Sequence, residues 1–155
     1  QKTAYEIPLR LVGSEMCIRD SAMGAKMGAM NREVVAVIGD GGYQMTIQEL
    51  GTIFQLQIPD KIVILNNDFL GMVRQWQQLF FDKRYASTEM INPDFVTIAK
   101  GYYIDSERVN DRKDLKPAVE RMIKSKKSLK GKTPSRRKFF KTAAAAGVAA
   151  VECLT

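Results

Sequence analysis

The sequence predicts an α/β fold, a parallel sheet in three layers with helices on both faces. Two apolar runs and the helical pattern between them carry that reading. Val34 to Ile38 and Lys61 to Leu65 are short, β-branched and without polar alternation, as expected of parallel strands covered on both faces. Between them Ile47, Leu50, Phe54 and Ile58 recur at helical spacing, and Thr46-Ile47-Gln48-Glu49 fits a capping box at the start of that helix. The three segments together make one strand-helix-strand crossover. Further along, Met72, Val73, Trp76, Leu79 and Phe80 outline a second helix, and Phe95 to Ala99 a third. A strand near Tyr103 to Val109 and a helix from about Leu115 to Lys124 complete the pattern, and no internal repeat is visible.

Composition narrows the function classes. An apolar share of 45% suits a globular core. The longest weakly charged run, Thr142 to Val151, is mostly alanine and too short to cross a bilayer of about 30 Å as a helix, so no membrane partner is expected. Two cysteines near opposite ends and no histidine suggest neither a disulfide framework nor a zinc site. The net charge of +7 is uneven: residues 1–21 sum to 0, residues 22–110 to −2 and residues 111–155 to +9. Basicity confined to a tail does not describe a nucleic-acid interface on the folded body, so no nucleic-acid partner is expected.

The chain divides into three pieces. Residues 1–21 show no sustained periodicity, and the run from Glu6 to Ser21 resembles translated sequencing-adapter sequence. A flexible leader is the alternative, and neither reading gives the segment a function. Residues 22–128 read as consistent α/β sequence. Residues 129–155 are basic, and Ser135-Arg136-Arg137-Lys138-Phe139-Phe140-Lys141 before an alanine-rich stretch looks like a twin-arginine export signal. Such a signal is read at the start of a chain, so this tail is expected to lie outside the fold. The alternative there is a short alanine-rich helix behind a basic linker.

Chemistry concentrates where the two strands end. Gly39-Asp40-Gly41-Gly42 follows the first strand directly, and Asn66-Asn67 follows the second. Adjacent parallel strands bring Asp40 and Asn67 to the same carboxyl edge, outside which open α/β sheets bind their ligands. A carboxylate and an amide oxygen converging beside glycines suit a hard cation carrying a diphosphate, since magnesium takes about six oxygens and only one or two carboxylates. Alone, a Gly-Asp-Gly is usually a turn and an Asn-Asn pair a loop. Their separation by a complete crossover, with 27 residues from Asp40 to Asn67, makes the pair more specific.

That pairing resembles the thiamine-diphosphate signature. The words IGDGGYQMTIQELGTI, KIVILNNDFLGMVRQWQQLFFDKRY and NPDFVTIA resemble the C-terminal cofactor domain of the acetolactate synthase (acetohydroxyacid synthase) family. Residues 22–26 look like the end of the helix preceding the motif there. Pyruvate oxidases and benzoylformate decarboxylases share the two short motifs, while GMVRQW and the later F-x-x-R-Y word point to the synthase.

The resemblance implies a set of roles. Asp40, the Asn67 amide oxygen and the Phe69 carbonyl would hold magnesium, and Gly39, Gly41 and Gly42 would lie along the diphosphate of thiamine diphosphate. Met72 and Val73 would face the cofactor and substrate pocket, with Trp76 on the wall that receives the second 2-keto acid. A stripe packed in the core is the commoner fate of such a helical pattern. The family condenses pyruvate with pyruvate or 2-ketobutyrate, with loss of carbon dioxide, in branched-chain amino-acid synthesis. It implies a cytoplasmic catalytic subunit in a homodimer or larger assembly, with the active site between subunits, FAD in another domain and in some cases a regulatory subunit. The activating glutamate of the family belongs to a domain this sequence lacks, so no catalytic residue is expected here. A lysine-rich tail stands where the family's last strand belongs, which makes the expected fold incomplete and inactive alone. Another thiamine-diphosphate lyase or oxidase, a non-catalytic cofactor-binding module, and an exported protein are the alternatives.

Overall fold

The computed structural model describes residues 17–125 and the backbone of 147–151. The adapter-like run before residue 17 and the twin-arginine-like run lie outside the described residues. In chain order the elements are α1 (Ile18–Gly28), β1 (Val35–Gly39), α2 (Asp40–Met45), α3 (Glu49–Leu56), β2 (Lys61–Leu65), α4 (Gly71–Phe80), α5 (Phe95–Gly101), β3 (Arg108–Val109), α6 (Arg112–Lys124) and β4 (Gly147–Val151). The sheet runs β1-β2-β4-β3 with every pairing parallel. β4 comes from the segment that sequence reading set outside the fold. Its run of glycine, valine and alanine carries no charge, which is what a strand between two others requires.

The crossover from β1 to β2 is the one expected. β2 occupies the residues read from the sequence, and β1 begins one residue later than expected and ends on Gly39. The strands differ in burial, however. Lys61 to Ile64 of β2 are all buried, whereas Val35 and Val37 of β1 face outward and only Ala36 and Ile38 are enclosed. β1 is a sheet edge with one covered face, so the expectation of two covered faces holds for β2 alone.

Helices lie on both faces of the sheet. On one, Leu50, Ile53, Ile62, Ile64, Phe95 and Ile104 join a cluster that includes Ala22 and Met23 of α1. On the other, Val63 and Val109 pack with Ala118 and Met122 of α6. Full burial of one such aliphatic side chain contributes about 1.5 to 3 kcal/mol.

Three local expectations need correction. The capping box at Thr46 does not form, because Thr46 belongs to the turn that ends α2 and its hydroxyl donates back to the Gly42 carbonyl at 3.4 Å. The chain instead turns through Glu49 N–H to Thr46 carbonyl (3.0 Å) and Leu50 N–H to Ile47 carbonyl (3.1 Å), entering α3 without a side-chain cap. The strand expected over Tyr103 to Val109 shrinks to Arg108–Val109, since Tyr103 takes a left-handed φ of 60° that extended pairing cannot use. Helix α1 begins at Ile18, so the boundary drawn at residue 22 cuts through a helix in which Arg19 is buried.

Behind β2 a group of charges is enclosed. Arg19, Lys26, Asp60 and Lys61 are all buried. Lys61 bonds the exposed Glu33 carboxylate at 2.7 Å and donates to the Ile123 carbonyl at 2.7 Å, tying the last turn of α6 to the first residue of β2. Lys26 closes the end of α1 on the Met30 and Arg32 carbonyls. No described helix is long and apolar enough to cross a membrane.

Candidate functional site

The in-register pairing of Gly39 with Leu65 fixes what happens one residue later. Asp40 opens α2 just past β1, and the loop from Asn66 starts just past β2, so the two meet at the carboxyl edge. The Asp40 side chain is buried and its oxygens are well used. Oδ1 accepts from the Gly41 N–H at 3.0 Å, and Oδ2 accepts from the backbone N–H groups of Asn67 (3.3 Å) and Asp68 (2.8 Å). A carboxylate that gathers backbone donors from a second loop sets the distance between the loops.

Asp68 makes this possible by adopting the left-handed region, with φ of 59°, which aspartate tolerates better than most residues. Its carbonyl then accepts from Met90 N–H at 2.8 Å, while Leu70 N–H donates to the Thr88 carbonyl at 2.8 Å. These two bonds flank an antiparallel bridge between Phe69 and Glu89. In such a bridge the central residue turns its own N–H and C=O away from the partner strand. Phe69 N–H accordingly meets the Asn67 side-chain oxygen at 3.1 Å. The Phe69 ring is held from beneath by Arg74, whose guanidinium lies 3.9 Å from its centroid and 4.8 Å from that of Tyr85.

The glycines divide by role. At Gly41 an added Cβ would sit 2.6 Å from Leu70 Cδ2 and 3.4 Å from Met90 Sδ, so the bare backbone admits the neighbouring loop. At Gly39 a Cβ would meet nothing within 4 Å, leaving open space beside the end of β1. Gly42 is buried inside α2.

One organising residue has no counterpart in the motif reading. Asn92 Nδ2 lies 2.6 Å from Asp40 Oδ2, 2.6 Å from Asn66 Oδ1 and 2.9 Å from Asp68 Oδ1. Its own oxygen accepts from Gln44 Nε2 at 2.6 Å. Asn92-Pro93-Asp94 precedes α5, and Asp94 is the cap, accepting from Val96 N–H at 3.1 Å. The sequence signal at this word is therefore a helix start, which hides the second task of Asn92.

The expected site residues are partly brought together. Asp40 meets the backbone of Asn67 and is linked through the Asn92 amide to the Asn66 side chain, while the Asn67 amide oxygen accepts from the Phe69 N–H. Met72, Val73 and Trp76 lie on α4, which buries no residue among those described. Trp76 is 58% exposed and touches Phe80, with ring centroids 5.2 Å apart. The packed-core alternative for this stripe therefore does not describe this chain.

Comparison with known proteins decides the family. Residues 20–135 match the thiamine pyrophosphate enzyme, C-terminal TPP binding domain. The chain belongs to this family. As a thiamine pyrophosphate enzyme domain it is similar to the acetolactate synthase large subunit of Cyanidium caldarium, 49% identical over 105 residues, which is 66% of this chain and 18% of that protein. It is also similar to the acetolactate synthase isozyme 2 large subunit of Escherichia coli (43% over 106 residues, 68% and 19%) and to the mitochondrial acetolactate synthase of Schizosaccharomyces pombe (42% over 106 residues, 68% and 16%). The chain thus spans about a fifth of the length of these curated relatives. The donor set fits the thiamine pyrophosphate family. Among the described residues no three His, Cys, Asp or Glu side chains gather as a metal cluster, yet carboxylate and amide oxygens converge beside open backbone, the mixture a diphosphate-bound hard cation uses.

Proposed function

We propose that the chain is the magnesium- and diphosphate-binding part of an acetolactate synthase catalytic subunit. The single observation that supports it best is the convergence of Asp40 with the 66–69 loop at the carboxyl edge of β1 and β2. In this reading Asp40 supplies the carboxylate ligand. Asn67 would contribute its amide oxygen, which here accepts from the Phe69 N–H, and the Phe69 carbonyl would complete the protein's share. Gly39, Gly41 and Gly42 let the diphosphate approach the backbone.

Thiamine diphosphate, when bound, supplies the electron sink for decarboxylating a 2-keto acid. The residues of this chain orient it and shape the space beside it. Met72 and Val73, in the first turn of α4, would face the cofactor, and Trp76 would limit the acceptor space for pyruvate or 2-ketobutyrate. The whole enzyme is cytoplasmic in this reading and works as a homodimer or larger assembly. It carries FAD in another domain, and a regulatory subunit can join it.

Calorimetric titration of thiamine diphosphate in the presence of magnesium tests the reading on the 155-residue chain. Saturable binding that disappears in Asp40→Ala is the expected result, and binding undiminished in that variant rejects it.

A further inference from the structure

Arg74 joins three stretches of chain. Its backbone N–H donates to the Leu70 carbonyl at 3.0 Å, and its guanidinium lies 3.9 Å from the ring centroid of Phe69 and 4.8 Å from that of Tyr85. Phe69 belongs to the loop after β2, Arg74 to α4, and Tyr85 to the return after α4. Two residues from both Met72 and Trp76, Arg74 stands about 160° round the helix from each, so it faces the loop and not the apolar stripe. The peptide from Phe69 to Leu70 is trans and planar. The Leu70 N–H that donates to the Thr88 carbonyl at 2.8 Å therefore turns the Phe69 carbonyl the opposite way. One hydrogen bond leaves that plane free to rock. The Phe69 side chain is a further point of attachment, and the guanidinium face holds it.

We propose that Arg74 is a positioning residue for the metal site: by stacking on Phe69 it holds the Phe69 carbonyl in the direction in which that oxygen would meet magnesium. The proposal rests on the magnesium reading above and adds a residue to it. Magnesium takes oxygens only in near-ideal octahedral positions at about 2.1 Å, so a carbonyl that rocks spends part of its time unable to bind. The apparent affinity then falls in proportion to the fraction of chains in the competent form. Arg74 raises that fraction without touching the ion.

Three roles for Arg74 differ in what its removal does. As a bare positive charge near the site it would oppose a divalent cation, and its loss would tighten magnesium binding. As packing alone, its loss would lower the melting temperature and leave the affinity unchanged. As a clamp on Phe69, its loss weakens magnesium binding by about three- to ten-fold, the worth of one cation–π contact. The experiment titrates magnesium chloride alone into the 155-residue chain by calorimetry, with a thermal unfolding curve for each protein. The proteins compared are wild type, Arg74→Ala, Arg74→Lys, Phe69→Leu and the double variant of Arg74→Ala with Phe69→Leu. Arg74→Lys keeps the charge but loses the flat guanidinium face, so it should weaken binding too, and it keeps the test decisive if Arg74→Ala does not fold. In the double variant the loss should be no larger than in the weaker-binding single variant, because both substitutions remove the same contact. Magnesium affinity equal to or tighter than wild type in Arg74→Ala and Arg74→Lys, or losses that add in the double variant, overturns the clamp and leaves the metal site standing. No magnesium binding by the wild-type chain overturns the site reading and the clamp together.

Discussion

The Arg19 guanidinium lies 4.2 Å over the ring of Tyr43 and donates to the backbone carbonyls of Tyr43 and Thr46. One side chain of α1 thereby closes the turn between α2 and α3, directly behind the Asp40 motif. Burial pushes the Arg19 pKa down, and the nearby Tyr43 and Asp60 oppose that shift.

Two truncations should therefore differ. Removing residues 1–16 leaves α1 whole, and the urea midpoint should not move. Removing residues 1–21 takes Arg19 away and strands two carbonyls, at roughly 1 to 3 kcal/mol for each unsatisfied buried group. Equal midpoints for the two truncations would show that Arg19 does not hold the turn.

Asp60 should impose a pH dependence on stability. Its burial raises the carboxyl pKa from 3.8 to about 7, against the lowering effects of the Lys61 N–H bond and of Arg19 and Lys26. The group therefore favours the fold below the unfolded value and costs stability as pH rises from about 4 through 7. At about 1.4 kcal/mol per pKa unit the loss is a few kcal/mol. Asp60→Asn should flatten the stability curve over that window, and unfolding free energies at pH 4 and pH 8 for both proteins check it.

Asp40→Ala should cost stability as well as cofactor binding. The substitution removes the acceptor for the N–H groups of Gly41, Asn67 and Asp68. A loss of about 1 to 3 kcal/mol is expected, read from urea unfolding without magnesium. Unchanged stability would mean that water serves those groups equally well.

Trp76→Leu should leave the stability of this chain within about 0.5 kcal/mol, as for an exposed site. In the complete enzyme the same change should shift the ratio of acetohydroxybutyrate to acetolactate by about ten-fold, one methylene in an apolar pocket being worth about 1 to 3 kcal/mol. Competition between the two keto acids measures the ratio, and thermal unfolding of the 155-residue chain measures the first part.

The crossover was legible because its signals are local: two β-branched strand runs without polar alternation, a helical stripe, and glycine at the end of a strand. Non-local bonds were not. Asn92 reaches Asp40 across 52 residues and Gln44 across 48, and no periodicity encodes such a contact. The capping box failed for a different and local reason, since the Thr46 hydroxyl donates to the Gly42 carbonyl in the helix before it. The buried charges near Asp60 were equally hidden, because a charged residue at a strand's start reads as exposed until the element covering it is known.

Helix α4 buries no side chain among the described residues. Gln77 holds it to its own return loop, donating to the Ala86 carbonyl at 3.0 Å and accepting from the Ala86 N–H at 3.0 Å. Residues 71–86 thus form a unit clipped to itself more than to the sheet, and such units open at a free energy well below that of global unfolding. In deuterium exchange the amides of α4 should therefore label before those of β2. The wall proposed for the substrate would then come from a helix that opens ahead of the sheet it stands beside.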